Sequence, residues 1–216
     1  MQMAVKRSSA ASRRLSLAQN WYPQESDVDC WPSEKGTILR ERVLVLSVQD
    51  KILETIERTD HLVSLVPADK LKWRLEVPAN RPPASDLGHL MGHLLDCMAG
   101  FCAAFHAAFP SDLADFLEFR SMPVNQSCSP EEAKASIKLY AGLIERGFGG
   151  CTDADLARKI PTVFVPEGET LLTILLGNLE HLVNHKYQLF FHLKLAGVAL
   201  TSRDIYKWRG APDQGS

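Results

Sequence analysis

Histidine pairs at helical spacing are the residues of this chain best suited to chemistry. His181 and His185 lie four residues apart, and His89 and His93 form a second such pair much earlier in the sequence. Both surrounding stretches are apolar enough to be helical, and a helix places residues i and i+4 on one face. Two helices that turn imidazoles toward a common interior can hold a transition metal.

A metal site of this kind needs ligands from more than one helix. A structural zinc site has four protein ligands, whereas a catalytic site has three and keeps one exchangeable position. His181 and His185 can supply two imidazoles from one helix turn. The third must come from another helix, and His89 and His93 are both candidates for it.

Each imidazole that binds a metal also needs a partner for its second ring nitrogen. Asp96, Glu180 and Gln188 lie close enough in sequence to the histidines to orient them. No glutamate follows the first histidine of either pair, so the H-E-x-x-H pattern of metalloproteases, with its general base, is absent. The alternative is a metal-free helical domain whose histidines pack in the core.

The composition is that of one globular domain and excludes several other classes. A net charge of −2 lacks the basic excess of a nucleic-acid surface, and no uninterrupted apolar run reaches the ~18 residues of a membrane span. Five cysteines without C-x-x-C spacing argue against a disulfide framework and a zinc ribbon. We therefore expect a cytoplasmic protein with free thiols that binds neither nucleic acid nor membrane.

The helices that must position the histidines follow a polar leader. We expect residues 1–36 to be a disordered leader, 37–208 a helical bundle domain, and 209–216 a flexible tail. Apolar periodicity and capping signals predict four long helices in the domain. They cover residues 39–65, 85–109, 129–150 and 170–196.

Capping residues fix several helix ends. Ser85 is the expected N-cap of the second helix, with Asp86 in its first turn. The segment Ser129-Pro-Glu-Glu132 has the form of a capping box with proline at the first helical position. Gly197 is a natural residue to follow the last helix. Four such helices joined by long connections predict an all-α four-helix bundle with crossover connections.

These residues resemble the DinB/YfiT-like family of four-helix-bundle metalloproteins over most of the chain, from about Leu39 to Tyr206. In that family the second helix carries a histidine followed three residues later by an acidic residue, as His93 is followed by Asp96. The last helix carries an H-x-x-x-H pair with a glutamine three residues after it, as in His181, His185 and Gln188. The chain departs from the family by having Asn184-His-Lys-Tyr187 where a second adjacent histidine and Arg-Gly are usual.

The resemblance implies a divalent metal held by His93, His181 and His185, with water completing the coordination. Zinc is the expected ion, with nickel or iron as alternatives, and Asp96 and Gln188 are the expected orienting partners. His89 has no usual counterpart in the family; it is either a fourth nearby imidazole or an ordinary helix-face histidine, and we favour the second interpretation. Cys97 is interpreted as a buried, inert thiol and a poor extra ligand.

The resemblance also implies candidate functions. Characterised relatives include thiol S-transferases, which join a low-molecular-weight thiol such as bacillithiol, mycothiol or glutathione to an electrophile, and in which zinc lowers the pKa of the bound thiol. The alternatives are a non-catalytic metal-binding or stress-response protein and a metal-dependent hydrolase. No residue is identified as catalytic beyond the ligands, and a homodimer is a further expectation.

Overall fold

The computed structural model describes residues 42–120, 126–163 and 165–209. The predicted leader, residues 1–36, and all of the predicted tail except Arg209 lie outside the described residues. Within the described part the fold is all-α, as the sequence predicts, with four α-helices and one small ribbon. The helices are α1 Val43–Ser64, α2 Leu87–Ala108, α3 Pro130–Gly149 and α4 Leu171–Leu195. Two-residue strands, β1 Lys159–Ile160 and β2 Glu169–Thr170, pair antiparallel just before α4.

The order of the helices around the bundle differs from their order in the sequence. The main packing contacts are α1 with α3, α3 with α2, α2 with α4, and α4 with α1. Consecutive helices α1 and α2 therefore lie diagonally across the bundle, and so do α3 and α4. The segments 65–86 and 150–170 must cross an end of the bundle, which confirms the predicted crossover connections.

The helix ends show which capping signals were interpreted correctly. Ser129 and Glu132 form the predicted capping box at the start of α3, and Gly197 follows α4 with a φ of +82°. The N-cap prediction for α2 is wrong by one residue, because Asp86 rather than Ser85 accepts the hydrogen bond from the His89 amide. An aspartate at this position also interacts favourably with the helix dipole.

Helix α2 is the central element of the core. Its large side chains Leu94, Met98, Phe101 and Phe105 are completely buried. By length and composition α2 is also apolar enough to cross a membrane, but 67% of that stretch is buried within the bundle. A central core helix passes the same test, so α2 is explained by its packing against α3 and α4.

The chain returns to the bundle after α4. A short 3-10 turn, Ser202–Ile205, places Asp204 3.1 Å from Nε2 of His61 on α1. The next residue, Tyr206, lies with its hydroxyl 3.3 Å from that of Tyr187 on α4. The segment after α4 therefore contacts both α1 and α4.

Helix α4 also carries a buried cation, and its removal should stabilise the protein. Lys186 is 2% exposed; burial, and then the nearby positive charges of Arg58 and Lys51, lower its pKa to about 8. We expect Lys186→Met to raise the free energy of unfolding at pH 7 by about 3 kcal/mol, because burial lowers the pKa from 10.5 to about 8 and each pKa unit corresponds to about 1.4 kcal/mol. The measurement is urea unfolding followed by circular dichroism.

The pH dependence of this gain tests its cause. The unfolded lysine, with a pKa near 10.5, keeps its proton in the range where the folded one has lost it, so the wild type becomes more stable as the pH rises from about 8 to 10.5. The advantage of the variant should be complete below pH 8 and shrink above it. A gain that is the same at pH 7 and pH 10 would show that burial of charge is not the reason.

Candidate metal centre

Three histidine side chains converge between α2 and α4. Nε2 of His93 lies 3.0 Å from Nε2 of His185 and 3.3 Å from Nε2 of His181. The two α4 residues share a face because they are one turn apart, and their ring centroids are 4.7 Å from each other. His93 therefore brings a nitrogen atom from α2 to the two histidines of the neighbouring helix α4.

The spacing of these nitrogen atoms fits a tetrahedral metal ion. Zinc binds imidazole nitrogen at 2.0–2.1 Å, so two nitrogen ligands of a tetrahedral site lie about 3.3 Å apart. Of the two distances from His93, 3.3 Å equals this value and 3.0 Å is slightly shorter. A neutral imidazole has one N–H, so His93 can donate to only one of the two other rings. A cation between the rings would give all three nitrogen atoms a partner.

Gln188 holds His185 in the form that binds metals. Oε1 of Gln188 lies 2.9 Å from Nδ1 of His185. Since the amide oxygen accepts, Nδ1 carries the hydrogen and Nε2 keeps its lone pair, 3.0 Å from Nε2 of His93. The residue expected from the sequence to orient a ligand is therefore in contact with one.

Removal of this amide should weaken metal binding without abolishing it. We expect Gln188→Ala to lower the affinity for zinc about 10- to 100-fold, the usual cost of losing a hydrogen-bond partner of a ligand. The affinity is measured by competition with a chromophoric chelator. Asn184→Ala is the matched control, because Asn184 is an exposed amide on the same helix. Equal affinities of the two variants would contradict the orienting role of Gln188.

Asp96 is less closely engaged with the histidines than expected. Its Oδ2 lies 4.0 Å from Nδ1 of His93, which is too long for a hydrogen bond. Nδ1 of His93 is buried and has no hydrogen-bond partner in the described part of the chain. At this distance the carboxylate and His93 do not form the expected hydrogen bond, although Asp96 has another interaction within the chain.

His89 is engaged at the start of α2. Its Nδ1 lies 2.8 Å from Oδ1 of Asp86, the residue that caps the helix. Partial burial raises the pKa of the Asp86 carboxyl, but the hydrogen bonds from His89 and the charges of His89 and Lys72 outweigh it and hold the pKa below its ordinary value. His89 therefore interacts with the residue that caps α2, whereas His93, His181 and His185 form the cluster.

The electrostatics of the site favour neutral imidazoles. Burial, and then the neighbouring His93, lower the pKa of His181. Burial also lowers the pKa of His185; the Gln188 hydrogen bond opposes this, and His93 and His181 add to it. At neutral pH the two rings are uncharged, which is the form that coordinates a metal.

Cys97 is a further donor at the site that the sequence interpretation missed. The sulfur of Cys97 and ring nitrogen atoms of His93 and His181 all lie within 4.8 Å of one another, so this group could bind a metal ion. From the sequence, Cys97 was interpreted as a buried, inert thiol and a poor extra ligand. Its spacing of four residues from His93, which places both on one face of α2, was the signal that could have identified it.

The thiol of Cys97 is protonated unless a cation acts on it. Burial, and to a smaller extent the charge of Asp96, raise its pKa to about 12. The backbone at this position is held from the other helix, because Nδ2 of Asn178 on α4 donates to the carbonyl oxygen of Cys97 at 2.8 Å. Asn178 thus fixes the separation of α2 and α4 beside the histidines.

Comparison with known proteins supports the fold. The chain is similar to the crystal structure of a DinB-like protein, YjoA of Bacillus subtilis, with a TM-score of 0.54 and 17% sequence identity. The match covers 76% of this chain and 99% of the other. No family model matches the sequence, and no curated protein matches it either.

Proposed function

Since the chain has the DinB-like fold, we propose that it is a divalent-metal-binding protein of the DinB type, with zinc held by His93, His181 and His185. We further propose that it is a thiol S-transferase, which joins a low-molecular-weight thiol to an electrophile. The observation that carries the proposal is the convergence of three Nε2 atoms, two of them 3.0 and 3.3 Å from the third.

The environment of the site suits a small ligand that arrives from solvent. His181 is exposed, whereas His93 and His185 are half-buried, so the centre has an outer side that a small molecule can reach. A bound divalent cation would act as a Lewis acid that lowers the pKa of a thiol, the chemistry a transferase of this kind needs. His185, oriented by Gln188, and His93 would keep the nitrogen donors in place during exchange of the small ligand.

A second candidate function is a non-catalytic metal-binding protein. It is favoured by the position of Cys97, whose sulfur lies close to ring nitrogen atoms of His93 and His181. Four protein donors would complete a tetrahedral coordination. If all four stay bound, no coordination position is open to a substrate. The two functions therefore differ in whether an external thiol can enter the site.

Calorimetry distinguishes them. Bacillithiol, mycothiol and glutathione are each titrated into zinc-loaded protein and into protein stripped with a chelator. The transferase proposal predicts that at least one thiol binds to the loaded protein and fails to bind to the stripped protein. If none of the three binds in a zinc-dependent way, the transferase proposal is wrong and the non-catalytic function is preferred.

A further inference from the structure

The feature that carries a further inference is the thiol of Cys97, one helix turn after His93. Cys97 is 3% exposed, and ring nitrogen atoms of His93 and His181 lie within 4.8 Å of its sulfur and of each other. The thiol therefore lies on the core side of the histidines, whereas His181 forms the exposed side. The sulfur would therefore bind a metal from the core side of the bundle, where solvent does not reach it.

The distances require only a small adjustment for coordination. With zinc–nitrogen bonds of 2.0–2.1 Å and a zinc–sulfur bond near 2.3 Å, nitrogen and sulfur ligands of one tetrahedral ion lie about 3.6 Å apart. The sulfur of Cys97 and ring nitrogen atoms of His93 and His181 are already within 4.8 Å of one another, so these three donors need a closing movement of about 1 Å. His181 is exposed and its ring is free to make part of this movement, while Asn178 keeps the backbone of Cys97 in place.

The chemistry of the donor set favours this contact. Thiolate is a strong protein ligand for zinc, and zinc sites commonly combine cysteine sulfur with histidine nitrogen. When the thiol binds the cation it loses its proton to solvent, and the buried negative charge is compensated by the positive metal.

We propose that Cys97 is a fourth protein ligand of the ion held by His93, His181 and His185, and that at rest it occupies the coordination position that a substrate thiol takes. This inference rests on the proposed function. In the resting state Cys97 would complete the coordination and close the site. In the active state the sulfur of the substrate thiol would replace that of Cys97. The exchange is symmetrical in charge, since one thiolate replaces another at the same cation and the proton of the incoming thiol passes to the departing Cys97.

The test is the absorption spectrum of the protein loaded with cobalt(II) in thiol-free buffer. A thiolate bound to cobalt(II) gives an intense charge-transfer band in the near ultraviolet, whereas imidazole ligands alone do not. We expect the band in the wild type and its loss in Cys97→Ala, which should still bind one cobalt ion. Addition of glutathione to the Cys97→Ala protein should restore the band, because the vacated position accepts an external thiol.

Two cysteine variants serve as matched controls. Cys102→Ala removes a thiol that is also buried in α2, with a pKa likewise raised to about 12 by burial. Cys128→Ala removes the sulfur that lies 4.0 Å from the carbonyl oxygen of Gly88, near the start of the same helix. Both variants should keep the band at wild-type intensity.

The outcomes separate this inference from the proposed function. A wild type that binds one cobalt ion, loses it in His185→Ala and shows no charge-transfer band keeps the metal site and overturns the role of Cys97. A band that survives in Cys97→Ala has the same meaning. A band that glutathione does not restore in that variant overturns the exchange of thiols. A wild type that binds no cobalt overturns the metal site itself.

X-ray absorption of the zinc-loaded wild type gives an answer that does not depend on any variant folding. We expect one sulfur neighbour at about 2.3 Å together with nitrogen neighbours near 2.0 Å. A coordination sphere of nitrogen and oxygen alone would overturn the inference.

Discussion

Replacement of His93 by alanine is expected to abolish tight zinc binding and the thermal stabilisation that zinc provides. His93 brings the donor atom from α2, and its Nε2 is the atom that lies 3.0 and 3.3 Å from those of His185 and His181. Without it, two imidazoles from one turn of α4 remain. A ligand present at a thousand times its Kd stabilises the folded state by about 4 kcal/mol, and the variant should lose most of this.

The measurement is thermal unfolding of wild type and variant with and without excess zinc. His89→Ala is the matched control, because His89 lies one turn earlier on the same helix and interacts with Asp86. We expect the control to melt at a slightly lower temperature than the wild type but to keep the full increase in Tm on addition of zinc. An equal zinc-dependent increase in the His93→Ala and wild-type proteins would contradict the proposed ligand set.

The second large effect is expected at Gly92, the residue before His93. A Cβ atom at this position would lie 1.6 Å from the carbonyl oxygen of Gln126 and 2.7 Å from its carbonyl carbon. Because the obstacle is backbone, residues 126–128, which lie against the first turns of α2, must move together. We expect Gly92→Ala to lower the free energy of unfolding by about 3 kcal/mol, at the upper end of the usual range for overpacking.

Gly177→Ala provides the control for this prediction. Gly177 lies inside α4, and a Cβ atom there meets nothing within 4 Å. Since alanine is preferred over glycine in a helix by about 1 kcal/mol, this variant should be more stable than the wild type. Urea unfolding of both variants measures the difference, and similar stabilities would show that the close approach at Gly92 is relieved at little cost.

Local sequence signals predicted the helices of the bundle well. The capping box of Ser129 and Glu132, the glycine at position 197 and the apolar periodicity of each helix act over a few residues, and the structure contains these features where the sequence indicates them. The choice between Ser85 and Asp86 failed because both can cap a helix. Only the backbone path before α2 decides which side chain reaches the free amides.

The candidate site depends on contacts between helices, and such contacts are harder to predict from the sequence than the helices themselves. Spacing alone left His89 and His93 as equal candidates, since either can face α4. The resemblance to a family selected His93, and the structure places it beside the α4 pair. Cys97 was interpreted as a poor ligand because a buried cysteine is usually inert, and its approach to His181 arises from the packing of α2 on α4.

The metal content of purified protein tests the central claim most directly. Elemental analysis is carried out on wild type and His185→Ala, both dialysed against metal-free buffer after loading with zinc. The arrangement of His93, His181 and His185 predicts close to one metal ion per wild-type chain and almost none in the variant. Metal-free wild-type protein, or equal metal content in the two proteins, would contradict the claim that these three imidazoles hold a cation.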